Sequence, residues 1–255
     1  MGLGVFIKSC ERDRAWLRYC LKSLEKFWDR PLPKILLALD DGCAIPEELP
    51  QKECLIVKPW SDEYSYAMAI KACADLYLPD SDPILLLDSD TVFTGPCGLE
   101  DLLEDGKILI TYARWGDDHS PTRSSAKQVW VPAIRRALGI ELDADFMVRV
   151  PTLYWRSTFS EMRGRVEAKH KKPFLEAVRS DFPFTIDRFL SHPFKFCENE
   201  ALSYCASFQA GYIVRDIREC AHSVPMLQCW SHGPIPTPYL ETLLAPGLEP
   251  SARPA

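Results

Sequence analysis

Two carboxylates, Asp88 and Asp90, close the apolar run Ile84-Leu85-Leu86-Leu87. That run follows the turn-rich Pro79-Asp80-Ser81-Asp82-Pro83, and so predicts a short strand buried on both faces, as inside a parallel sheet. Residues two apart on an extended chain share a face, so Asp88 and Asp90 project together with Ser89 on the other side. They then lie at the strand's C-terminal edge, where open α/β sheets bind ligands. Two hard oxygen donors suit Mg²⁺ or Mn²⁺, which in turn bridges a diphosphate. Acids also end strands in plain turns, as in Asp40-Asp41-Gly42. Two co-facial acids after so apolar a strand, however, are costly unless paired or metal-bound.

The elements that must hold this pair are legible ahead of it. Gly4 to Ser9 reads as a first strand, followed by a helix with Trp16, Leu17, Cys20, Leu21, Leu24, Phe27 and Trp28 on one 3.6-residue stripe. Arg14, Arg18, Lys22 and Lys26 form its solvated face, and Pro31 and Pro33 end it. Lys34 to Asp41 is a second buried strand, Cys54 to Lys58 a third, and Tyr64 to Tyr77 a helix with Ile70, Cys73 and Leu76 inward. The order predicts an α/β sandwich, Rossmann-type, with a mostly parallel central sheet flanked by helices.

The second half is less regular. Strands are expected at Lys107 to Tyr112, Phe146 to Tyr154 and Tyr212 to Ile217, and helices at Ser124 to Leu138, Ser157 to Lys169 and about Glu198 to Gln209. A polar loop, Gly116 to Pro121, is expected to be mobile, and the basic run Arg163 to Lys172 reads as a solvated face or a polyanion-contacting patch. The proline-rich tail from Pro234 has no periodicity and reads as an ordered wrap that frays near Pro250. With neither repeat nor linker, one domain is expected over 1–255.

Composition sets outer bounds. The apolar runs reach four to six residues, too short to span a bilayer, and the N-terminus shows no signal-peptide pattern. A net charge of −6 argues against a protein that coats nucleic acid. Ten cysteines are scattered without a C-x-x-C pair, and Cys20, Cys73 and Cys205 fall on apolar helix stripes. They read as buried free thiols of a cytoplasmic protein, with neither a disulfide framework nor zinc spacing.

Several stretches together resemble the GT-A nucleotide-sugar glycosyltransferases, more narrowly a bacterial and viral group of that superfamily. They are Phe6-Ile7-Lys8-Ser9-Cys10-Glu11-Arg12-Asp13, Leu85 to Phe93 around Asp88-Ser89-Asp90, Val150-Pro151-Thr152-Leu153-Tyr154 and Cys197-Glu198-Asn199-Glu200. The Asp-Ser-Asp is the specific element; the other matches are loose. The resemblance implies a GT-A-like single domain with a nucleotide-binding half at 1–95, an acceptor-binding and C-terminal half at 96–240, and a frayed tail at 241–255. It implies a metal-dependent transferase moving a sugar from a nucleotide-diphosphate donor, UDP-sugar favoured, to an acceptor hydroxyl. Surface-polysaccharide or glycolipid precursors, or a modified DNA base, are the acceptor classes it suggests.

The same resemblance implies roles for single residues. Lys8, Ser9, Arg12 and Asp13 hold base and ribose, although Asp13 serves equally well as a helix N-cap. Lys71 faces the donor or is a solvated lysine. Asp90 ligates Mn²⁺ or Mg²⁺, Asp88 binds metal or sugar hydroxyls, and Ser89 lies within the donor site. His232 is a third metal ligand with His222 as competitor, and either is equally a structural histidine. An inverting enzyme needs a base: Glu198 shares a helical face with Ala201, Leu202 and Cys205, while Glu200, the second choice, points away beside Ser203 and Ser207. Stabilisation of the helix N-terminus is the alternative role for Glu198. Trp115 and Trp155 offer sugar-stacking faces or core packing.

Rival readings start from the same residues. Asp88-Ser89-Asp90-Thr91-Val92 also fits the motif of haloacid-dehalogenase-like Mg²⁺-dependent phosphohydrolases, with Asp88 as nucleophile. That motif usually sits on the first strand, and here three strands precede it. A sugar-1-phosphate nucleotidyltransferase wants a glycine-rich loop that Ser9 to Asp13 lacks. A degenerate protein that binds nucleotide sugars without catalysis is the non-enzymatic alternative.

Overall fold

Strands built around short buried apolar runs can satisfy their backbones only by pairing with one another, and they build the centre of this protein. The computed structural model describes residues 2–48, 52–60, 63–117, 123–148, 152–182, 185–187, 192–220, 224–228 and 235–245. In chain order the first half contains β1 (Gly2–Ser9), α1 (Arg14–Phe27), β2 (Lys34–Asp40), β3 (Glu53–Val57), α2 (Glu63–Lys71), α3 (Ala74–Tyr77), β4 (Ser81–Asp88) and β5 (Thr91–Phe93). Next come β6 (Leu103–Glu104), β7 (Lys107–Arg114), α4 (Arg123–Leu138), β8 (Ala144–Asp145), β9 (Thr152–Tyr154), α5 (Arg156–His170) and α6 (Phe174–Ser180). The last are β10 (Thr185–Asp187), β11 (His192–Phe194), α7 (Glu198–Ala206), β12 (Tyr212–Asp216), β13 (Met226–Gln228) and α8 (Thr237–Leu244).

The chain is an α/β protein with a mostly parallel five-strand central sheet flanked by helices. The strand order is β3-β2-β1-β4-β9, parallel throughout except for β9 against β4. The chain leaves β1 for β2 on one side and returns from β3 to β4 on the other. The order therefore reverses between β1 and β4, which is the switch point where such sheets leave a crevice. Alternation assigns the faces. Phe6, on the face of Lys8, Asp40 and Asp88, stacks on Tyr77 of α3, and α2 packs on β1 from that side. α1 packs instead against β5 and α8.

The stripe read for α1 is buried at Trp16, Leu17, Cys20, Leu21, Leu24 and Phe27. Cys73 and Cys205 are buried as expected, and all nine described cysteines are free thiols. No helix among the described residues is long and apolar enough to cross a membrane.

Four local expectations are corrected. The helix read from Tyr64 to Tyr77 breaks after Lys71, with Cys73 N–H donating to Ile70 O in a tighter turn; this rotates Leu76 outwards to 59% exposure and Asp75 inwards. Asp75 there meets Arg163, which is buried and not part of a solvated face; Arg163 Nη2 lies 2.7 Å from Asp75 Oδ2 and Nη1 2.8 Å from Ala72 O. Of the strand read from Phe146 to Tyr154, only Thr152–Tyr154 is extended among the described residues, as β9 on β4; Met147 and Val148 form a turn, and the strand β8 on β7 ends just before Phe146. The tail contains α8, started by Pro238 in its first turn, and Leu240 is fully buried against the Trp16 and Val92 cluster. The polar loop beyond Asp117 and the end of the tail lie outside the described residues.

Candidate functional site

Three strand ends converge at the switch point. Lys8 and Asp88 are register partners across β1 and β4, and Asp40 closes β2 on the same face. Lys8 Nζ donates to Asp40 Oδ1 at 2.6 Å and to Ser9 O at 2.9 Å, and both side chains are nearly buried. Ser9 lies on the opposite face; it is buried, and its Oγ has no hydrogen-bond partner among the described residues. Arg12 and Asp13 follow in a short turn. Their polar contacts are with each other and with Cys10 Sγ, and Asp13 stands at the N-cap position of α1 without making a side-chain cap bond.

The Asp88–Asp90 pair is not co-facial on one strand. β4 stops at Asp88, Ser89 and Asp90 form a buried turn, and β5 begins at Thr91. The two carboxylates nevertheless converge, because β13 pairs antiparallel with β5 and sets Gln228 opposite Thr91. Gln228 Nε2 lies 2.8 Å from Asp90 Oδ1 and 3.3 Å from Asp88 Oδ2, while its Oε1 accepts from Thr91 Oγ1 at 2.7 Å.

On the other side of Asp88 stands Lys71, the last residue of α2. Its Nζ lies 2.7 Å from Asp88 Oδ1 and 2.5 Å from Glu198 Oε1, and its side chain is 10% exposed. It is not a solvated lysine. Burial works against the ammonium, but the two flanking carboxylates overcome it and hold the pKa of Lys71 well above the ordinary value. Glu198 opens α7 with its side chain 4% exposed. Burial raises its pKa, Lys71 opposes that rise, and the nearby Asp88 charge adds to it. Glu198 Oε2 has no hydrogen-bond partner among the described residues.

Glu200, two residues on, faces a different place. Contrary to the expectation that it points away from the packed face, it is fully buried, accepts from Phe146 N at 3.1 Å, and lies beside Asp145 of β8. Burial and then the Asp145 charge push its pKa well above the usual glutamate value, and its hydrogen bond from Phe146 N–H ties α7 to the segment after β8. The structure thus brings together Lys71, Asp88, Asp90 and Glu198, and sets Glu200 apart. Trp115 packs edge-on against Trp130 and donates to Leu142 O, and Trp155 Nε1 donates to Gly211 O. His222 and His232 lie outside the described residues.

Among the described residues the cluster sets one buried ammonium, Lys71, beside the carboxyl groups of Asp88, Asp90 and Glu198, with Asp88 reaching the solvent edge. Hard oxygen donors, two carboxylates converging on one amide and a buried Glu198 oxygen without a hydrogen-bond partner among the described residues fit a divalent cation in donor chemistry. Among the described residues no three His, Cys, Asp or Glu side chains form a ready-made metal cage, so water and ligand oxygens would have to complete the coordination. Asp40 and Gln228 were not singled out from the sequence. The first was read as a turn acid, and nothing local to Met226-Leu227-Gln228 points towards residue 88. Compared with known protein families and with curated proteins, the chain matches none.

Proposed function

We propose that the chain is a GT-A-type glycosyltransferase that moves a sugar from a nucleotide-diphosphate donor, UDP-sugar favoured, to an acceptor hydroxyl. The observation that carries this reading is the placement of Asp88, Asp90, Lys71 and Glu198 around the β1/β4 switch point. Asp88 and Asp90 would hold Mn²⁺ or Mg²⁺, which, when bound, stabilises the negative charge developing on a departing diphosphate. The chain's own residues supply the rest. Lys8 and Asp40 form the wall of the crevice on the β1–β2 side, where base and ribose would lie. Lys71 fixes the orientation of both Asp88 and Glu198. Glu198 accepts the acceptor's proton on Oε2, the oxygen that Lys71 does not hold; its raised pKa makes it a stronger base once ionised. This assignment is for inversion at the anomeric carbon. A saccharide or glycolipid precursor fits the acidic chain better than a modified DNA base, and free thiols suit a cytoplasmic setting.

A thermal-shift panel of nucleoside diphosphates with and without Mn²⁺ tests the reading. One nucleotide should stabilise the protein only with metal, by about 2.7 kcal/mol at a hundredfold excess over Kd, and Asp90→Ala should abolish the shift. No shift with any nucleoside diphosphate counts against it. Mg²⁺-dependent phosphate release from p-nitrophenyl phosphate, lost in Asp88→Asn, would favour the phosphohydrolase reading instead.

A further inference from the structure

We propose that Gln228 is a reversible arm of the cation site: its amide N–H group clamps Asp88 and Asp90 in the metal-free protein, and its amide oxygen turns in as a third ligand when a divalent cation binds. The inference rests on reading Asp88 and Asp90 as cation ligands, and it concerns a residue for which that reading has no role.

Geometry carries it. Oxygens on adjacent corners of an Mg²⁺ or Mn²⁺ octahedron, with bonds of about 2.1 Å, stand about 3.0 Å apart. Gln228 Nε2 lies 2.8 Å from Asp90 Oδ1 and 3.3 Å from Asp88 Oδ2, at the spacing of a co-ligand to both. It is too far from either to occupy the cation's own position. An N–H cannot ligate a cation, whereas the amide oxygen can. A half-turn of the amide exchanges the two atoms without losing the anchor. Oε1 now accepts from Thr91 Oγ1 at 2.7 Å, and after the turn Nε2 donates to the same hydroxyl, which both donates and accepts.

Charge explains why this ligand is an amide. Lys71 already faces Asp88 and Glu198, with Asp90 beyond, and a further carboxylate here would repel them in the metal-free protein. An amide contributes an oxygen with no charge, while its N–H group donates to both carboxylates. The buried Oε2 of Glu198, without a hydrogen-bond partner among the described residues, is a separate sign that an outside group completes the cluster.

Mn²⁺ binding to the full chain, read by the electron paramagnetic resonance of free Mn²⁺ with no donor present, tests this. Gln228→Leu should weaken Mn²⁺ binding by at least about tenfold, the loss that even an outer-shell partner of a metal ligand causes. Gln228→Glu, which keeps an oxygen donor, should bind at least as tightly as the native chain and melt at a lower temperature without metal. Gln228→Met, unbranched and without oxygen, gives the same reading if the leucine variant does not fold. Unchanged or tighter Mn²⁺ binding in the leucine or methionine variant, with binding still lost in Asp90→Asn, would mean a clamp only and overturns this inference alone. Absence of Mn²⁺ binding by the native chain, or binding indifferent to Asp90→Asn, overturns the cation site as well.

Discussion

Lys71 Nζ lies 2.5 Å from Glu198 Oε1, so the last residue of α2 and the first of α7 meet as a buried ion pair above the C-terminal edge of the sheet. Neither charge would persist there alone, since a desolvated ion without its counter-charge costs several kcal/mol. Lys71→Met should therefore lower stability by about 3–5 kcal/mol, read from urea midpoints at constant m. Adding Glu198→Gln should recover part of that loss, because the two groups are coupled. Additive losses would show that the pair is not formed.

The raised pKa of Glu198 gives a pH signature for turnover. If Glu198 takes the acceptor's proton, the acid limb of kcat/KM lies above the ordinary glutamate value of about 4.3. Activity rises with pH through that limb. Glu198→Gln should remove most of kcat while leaving nucleotide affinity within a few-fold. A variant that retains native kcat contradicts the assignment.

Glu200 predicts a different dependence, on stability. Folding raises its pKa, so the folded state keeps a proton that the unfolded chain releases near the ordinary value. Its stabilisation is complete below that value and declines as pH rises through the raised one, at up to about 1.4 kcal/mol per pH unit. Glu200→Gln imitates the protonated acid, with Oε1 for Phe146 N–H and Nε2 for Asp145. Denaturation at pH 5 to 8 should show the glutamine variant gaining on the native chain as pH rises. A constant difference would mean that Glu200 does not carry the proton.

Arg163 supplies a control away from the chemistry. Its buried bidentate contact to Asp75 ties α5 to α3. Arg163→Met should cost about 3–5 kcal/mol of stability. Specific activity per folded molecule, measured well below the midpoint of melting, should not change.

What could be read from the sequence followed from periodicity and strand burial. The apolar runs ending at Ser9, Asp40 and Asp88 predicted the mostly parallel sheet, and the stripe from Trp16 to Phe27 predicted α1 with its buried face. Convergence was less legible. Asp88 and Asp90 were expected to meet through the pleat of one strand, but they meet through a turn and a glutamine on β13. Lys71 looked equally like a surface lysine, since a helix pattern does not reveal that two carboxylates will close over its end. Leu76 and Arg163 were misplaced for one reason. The break after Lys71 rotates α3 and turns Asp75 inwards, and that break has no glycine or proline to mark it. α8 was missed because Pro234, Pro236 and Pro238 disguised a helix that the last of them helps to start.

The most direct measurement is release of nucleoside diphosphate from a panel of nucleotide sugars by the full chain with Mn²⁺, compared with Asp90→Asn. Metal-dependent release from one donor, uridine-based by preference, falling at least about a hundredfold in Asp90→Asn, is the predicted result. No release from any donor with Mn²⁺ or Mg²⁺, or release undiminished in Asp90→Asn, would contradict the assignment of a metal-dependent glycosyl transfer to this site.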